Sequence, residues 1–126
     1  MAKTAKELVA EAKGQIENLS VDQVAQEQEQ GALIVDIREE NERQVTGTIA
    51  GAIAAPRGML EFYADPATPY HKPELQQDAR IILHCASGGR SALAAETLQK
   101  MGYSNVAHME AGFKGWKEAG KPVEGG

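Results

Sequence analysis

The sequence predicts an α/β domain: a mainly parallel central sheet of about five strands, with helices on both faces. Three observations predict it. Two short, continuously apolar runs, Ala32-Leu33-Ile34-Val35 leading into Asp36-Ile37 and Ile81-Ile82-Leu83, have the character of parallel strands covered on both sides. Segments with helical spacing alternate with such runs, and right-handed crossovers then distribute the helices over both faces. The chain has 126 residues, enough for one core and too few for two ordinary domains. Its 42% hydrophobic and 25% charged residues match a soluble globular protein.

Residues 1–19 are expected to form a helical extension packed on a single domain of residues 20–126. Within residues 3–17, Leu8, Val9, Ala12 and Ile16 fall on one helical stripe, away from Lys6, Glu7, Lys13 and Glu17. Ser20, with Gln23 three residues on, has the capping-box pattern and opens a short helix that Gly31 ends. The strand at 32–37 follows, and its Asp36 needs a partner, for which Arg38 and Arg90 are both candidates. Residues 39–45 predict a helical turn, residues 51–56 a short strand ended by Pro56, and residues 57–63 the start of a helix. Residues 64–73 hold three of the five prolines and predict a restricted loop.

The strand at Ile81 ends at Cys85, and a helix is expected from Arg90 to near Met101, with Leu93, Ala94, Thr97, Leu98 and Met101 inward and Gly102 as its stop. Val106 to Met109 predicts another strand. Phe113 to Ala119 predicts a short helix whose Phe113 and Trp116 anchor the core.

A net charge of -5 argues against a nucleic-acid partner, since phosphate affinity needs clustered Lys and Arg. No stretch is long and apolar enough for a membrane span, and the charged N-terminus lacks a signal-peptide core, so a cytoplasmic location is expected. The single cysteine excludes an internal disulfide, a CxxC redox pair and a zinc site built on several thiolates. Three isolated histidines make no metal site. His71 and His108 read as surface residues, and His84, on the opposite face of its strand from Cys85, reads as structural.

A lone cysteine is more often buried and inert than reactive. Its position reverses that expectation. Cys85 lies between a strand end and a helix start, and Gly88 and Gly89 allow the backbone to curl so that several N–H groups converge, with Arg90 adding positive charge. Such surroundings lower a thiol pKa from about 8.5 to roughly 3.5–7.5.

Cys85-Ala86-Ser87-Gly88-Gly89-Arg90-Ser91 resembles the active-site loop of the rhodanese (sulfurtransferase) family, Cys-x-x-Gly-x-Arg often followed by Ser. Asp36-Ile37-Arg38-Glu39 resembles that family's early Asp-x-Arg-Glu element, and Gly51-Ala52 through Pro56-Arg57 to Phe62 is similar to the segment before its second crossover. Glu110-Ala111-Gly112-Phe113 through Trp116, with Gly120-Lys121-Pro122-Val123, resembles its C-terminal signature. The resemblance implies a rhodanese-like domain in which Cys85 is the nucleophile and takes a sulfane sulfur from a donor such as thiosulfate as a persulfide. A thiol, cyanide or protein acceptor then removes it. It implies no metal and no cofactor. Residues 86–90 would cradle the persulfide, supported by Asp36, Arg38, Arg57, Glu61 and Ser91. Arg90 would either close the loop on Asp36 or Glu61 or attract the anionic donor.

Two departures from the pattern matter. Gly47-Thr48-Ile49 stands where the family commonly has Gly-His-Ile, and Ala86 and Ser87 supply no cation, which makes thiosulfate a poor or surrogate donor and Arg57 a substitute cation. Two readings compete with sulfur transfer. A cysteine phosphatase of this fold needs five residues between Cys and Arg to seat a phosphate, and here there are four. A non-catalytic sulfur-relay or protein-binding module would keep the fold without the activity.

Overall fold

The computed structural model describes residues 2–126; Met1 of the predicted extension lies outside the described residues. Thr4 caps the first helix, α1 (Ala5–Lys13), by a reciprocal capping box with Glu7. Next come β1 (Glu17–Leu19), α2 (Val21–Glu29), β2 (Leu33–Asp36), α3 (Glu40–Thr46), β3 (Thr48–Ile49) and β4 (Ile53–Ala54). A 3-10 turn, Arg57–Met59, leads into α4 (Leu60–Ala64), followed by β5 (Ile81–His84), α5 (Gly89–Lys100), β6 (Val106–Met109), α6 (Gly112–Glu118) and β7 (Val123–Glu124).

Five strands form one parallel sheet in the order β1-β6-β5-β2-β4. β5 is central and wholly buried, which is why its sequence shows no polar alternation. Its residues divide by parity. Ile81, Leu83 and Cys85 join Val35, Leu60, Ala94 and Leu98 in a core on the α4 and α5 side, whereas Ile82 joins Ile34, Met109, Phe113 and Trp116 on the α2 and α6 side. α1 lies outside α5. Helices therefore cover both faces, as expected from the crossover rule.

Register places Asp36 opposite His84 and Leu83 opposite His108, so the carboxyl ends of β2, β5 and β6 lie side by side. Ligands of open α/β sheets bind at that edge.

Two features depart from the sequence expectation. The first helix ends at Lys13, not near residue 17, because Gly14 and Gln15 turn the chain and Glu17–Leu19 pairs with β6 as an edge strand. A second, two-stranded antiparallel sheet joins β3 to β7, pairing Thr48 with Glu124 and Ile49 with Val123. Neither short strand has enough residues to show a period of two.

Candidate active site

Cys85 leaves the end of β5, and the chain curls through residues 86–88 into the first turn of α5. The curl brings the Gly88 N–H to 3.2 Å and the Ser91 N–H to 3.3 Å from Sγ, with the Ser91 hydroxyl at 3.5 Å. Gly88 has φ +99° and packs so closely that a Cβ there would collide with the Glu110 carbonyl oxygen. Gly112, φ +68°, packs in the same way against Ala86. The first N–H groups of α6 complete the brace: Phe113 donates to the Cys85 carbonyl (2.8 Å) and Lys114 to that of Ala86 (3.1 Å). The Glu110-to-Trp116 segment thus serves the cysteine loop by fixing its peptide planes.

Burial raises the Cys85 thiol pKa, but the hydrogen bonds open to its thiolate, from the Ser91 hydroxyl and from the Ser91, Gly88 and Ser87 N–H groups, outweigh it, so the net direction is down. The start of α5 adds the positive end of its dipole. The thiol is buried all the same, with 1% exposure. Such converging N–H groups favour an anionic sulfur over a neutral thiol.

A family model of the rhodanese-like domain matches residues 20–119. The chain belongs to that family. Relatives include the uncharacterized protein YqhL of Bacillus subtilis, 34% identical over 68% of this chain and 60% of its own length. The match thus spans less than two thirds of that relative. Thiosulfate sulfurtransferase GlpE of Haemophilus influenzae is 32% identical over 76% of this chain and 83% of its own. Among solved structures, RPA3614 from Rhodopseudomonas palustris, described as a protein of unknown function and possible tyrosine phosphatase, superposes with a TM-score of 0.92. It is 42% identical, covering 98% of this chain and 96% of that one.

The rhodanese loop is held from the side by an ion pair that the sequence did not disclose. Arg90 makes two hydrogen bonds to Glu42 of α3, Nη1 to Oε2 at 2.8 Å and Nη2 to Oε1 at 2.9 Å. Asp36 and Glu61, the expected partners, are engaged elsewhere. Those bonds lower the Glu42 carboxyl pKa to about 2, against a smaller opposing effect of burial. Glu42 also accepts the Glu39 N–H, which aims its carboxylate.

Asp36 takes Arg38, the nearer of its two candidates. The pair is buried, with Arg38 Nε at 3.0 Å from Oδ1 and Nη2 at 2.8 Å from Oδ2. Burial raises the Asp36 pKa, yet the Arg38 hydrogen bonds prevail and lower it overall. Arg38 continues to Thr46 Oγ1 and the Gly47 carbonyl and lies 4.1 Å over the Phe113 ring. It thereby links β2, the end of α3 and α6 beneath the loop. Arg57 pairs with Glu61 (2.8 Å) and reaches Thr97 on α5 at 3.3 Å. Neither hydrogen-bonds to the cysteine loop among the described residues.

His84 is fully buried, stacks on Phe113 and turns Nδ1 to the Cys85 carbonyl, the structural place expected of it. His108 is not a surface residue. It is fully buried, with Ser91 Oγ at 2.8 Å and Asn18 Oδ1 at 2.7 Å. The signal for it lay in period two: His108 shares a strand face with Val106, which belongs to the core on the Cys85 side. Among the described residues no group of three His, Cys, Asp or Glu is placed to hold a metal ion, and no helix is long and apolar enough to cross a membrane.

Beside the loop, α3 and α6 flank a mostly apolar cleft of about 660 Å³, within the size range of small-molecule sites. Val45, Phe113 and Ala86 line it, with Lys114 and Lys117 along the α6 edge.

Proposed function

We propose that the protein is a rhodanese-type sulfurtransferase that carries sulfane sulfur as a persulfide on Cys85. One observation carries the reading: N–H groups of Gly88 and Ser91 converge on Sγ within a loop whose arginine is already held by Glu42. In the first step the Cys85 thiolate attacks the outer sulfur of a donor such as thiosulfate. A new S–S bond forms, the donor's S–S bond breaks, and sulfite leaves with the electron pair. The negative charge then resides on the outer sulfur, where the N–H groups of residues 86–90 stabilise it. In the second step an acceptor thiolate or cyanide attacks that sulfur, and Cys85 departs as the thiolate. Cys85 is the only cysteine in this sequence, so the acceptor comes from outside it. The cleft next to Ala86 offers it room.

The phosphatase description of RPA3614 meets two physical objections in this chain. Four residues, not five, separate Cys85 from Arg90, which narrows the cradle below a tetrahedral phosphate. Both forks of the guanidinium are taken by Glu42, and a phosphate clamp needs them free.

The test is intact-protein mass spectrometry after incubation with thiosulfate, mercaptopyruvate or polysulfide. One added sulfur, removed by a thiol and absent in Cys85→Ser, is expected. A folded protein that takes up no sulfur from any of the three would overturn the reading, and aryl phosphate hydrolysis lost in Cys85→Ser would replace it with the phosphatase.

A further inference from the structure

Sulfur transfer leaves one feature of the site unexplained. From Cys85 a chain of side chains runs through the interior to the sheet edge: Sγ to Ser91 Oγ at 3.5 Å, Ser91 Oγ to His108 Nδ1 at 2.8 Å, His108 Nε2 to Asn18 Oδ1 at 2.7 Å. Ser91 and His108 are fully buried, and Asn18 stands exposed on β1.

The direction of each hydrogen bond follows from the far end. Asn18 Nδ2 donates to the carbonyl oxygens of Lys13 (2.9 Å) and Ile16 (3.2 Å), which leaves Oδ1, an acceptor only, facing His108. His108 Nε2 must therefore bear the ring proton. Nδ1 is then bare, and the Ser91 hydroxyl donates to it. A hydroxyl has a single proton. With that proton directed at His108 Nδ1, Ser91 turns lone pairs toward Cys85, an arrangement that accepts an S–H and repels a thiolate.

We propose that His108 is a positioning residue that competes with the Cys85 sulfur for the Ser91 hydroxyl proton, and so sets how readily the nucleophile ionises. While Cys85 is a thiol, the hydroxyl points to His108. When the sulfur is an anion, the hydroxyl rotates onto it, because a hydrogen bond to an ion is about twice as strong as one between neutral groups. The thiol proton itself is exchanged with solvent. Rotation leaves Nδ1 a buried acceptor without a donor, and that penalty falls on the ionised state. The groups facing His108 are Lys13 of α1, Glu110 after β6, Ser91 of α5 and Asn18 of β1, and the charged group facing the sulfur is Arg90 of α5, which every variant below retains. Burial lowers the ring's pKa, to about 4, with Lys13 adding to the effect and Glu110 opposing it. The ring is thus neutral near pH 7 and its Nδ1 stays an acceptor.

The thiol half of this switch holds for any chemistry at Cys85; its extension to the persulfide rests on the sulfurtransferase reading. The experiment needs no sulfur donor, so its failure and the failure of that reading are separable. The pH dependence of Cys85 alkylation by iodoacetamide is measured in the wild type, His108→Leu, Ser91→Ala and the double variant. His108→Leu should lower the alkylation midpoint by on the order of one pH unit, the size of one hydrogen bond. Ser91→Ala should raise it, and the double variant should match Ser91→Ala. An unchanged or raised midpoint in His108→Leu, or the same shift with and without Ser91, overturns the proposal. In the wild type, nitrogen NMR gives a readout independent of any variant's folding. The His108 Nδ1 resonance should move downfield as Cys85 ionises, and a constant Nδ1 resonance through that titration would equally overturn it.

Discussion

At the scale of single residues, the sulfur of Cys85 is governed by groups within a hydrogen bond of it, and most of them are backbone. Side-chain chemistry at positions 86 and 87 matters little to the cradle, whereas the path of the chain matters greatly. Gly88 is where that path is most constrained, since its positive φ and its contact with the Glu110 carbonyl leave no room for a Cβ. Gly88→Ala should destabilise the protein by roughly 1–3 kcal/mol and raise the Cys85 pKa by drawing the position-88 N–H off the sulfur. Urea unfolding reads the first effect and alkylation against pH the second; a stable variant with an unshifted thiol would contradict both.

At the scale of elements, the loop is a junction of four pieces: it leaves β5, opens α5, is braced by α6 and is tied to α3. The tie is the Arg90–Glu42 pair, which joins residues 48 apart in sequence. Its side chains keep 39% and 29% of their exposure, so solvent screening limits its worth to about 1 kcal/mol or less. The Glu42 pKa is depressed in the folded state, so its contribution is complete above the ordinary 4.5 and is lost as pH falls toward about 2. Glu42→Gln should accordingly be up to about 1 kcal/mol less stable than wild type at pH 7, with the difference shrinking to nothing near pH 2. Urea midpoints at several pH values give the answer, and a difference that grew in acid would refute the assignment. This tie was not legible beforehand. Asp36 and Glu61 looked as suitable as any carboxylate, because partners contributed by different elements leave no local pattern. The capping box at Ser20 and the helix stop at Gly102 were legible for the opposite reason, since both depend on residues within one turn.

At the scale of the whole molecule, the shifted histidines and carboxylates share one sign, each lying below its ordinary value. His84 and His108 are held neutral by burial, both below the ordinary 6.5, so the unfolded chain binds more protons as pH drops past that value. Asp36, Glu27 and Glu42 lie below their ordinary carboxylate values and add to the loss at lower pH, when the unfolded chain protonates first. Stability should therefore decline steadily from about pH 6.5 downward, faster below the ordinary carboxylate range. Urea midpoints at pH 7, 5 and 3 would test this, and a maximum at pH 5 would show the sign to be wrong. By itself the sequence determined the parallel α/β architecture, the strand-loop-helix around Cys85 and the four-residue spacing to Arg90, because these rest on periodicity, glycine and local backbone preference. Only the tertiary structure decided which carboxylate holds Arg90, that His108 stands behind the sulfur, and that residues 17–19, 48–49 and 123–124 are strands. Those outcomes come from partners distant in the chain, and strands of two or three residues owe their pairing to their neighbours more than to any preference of their own.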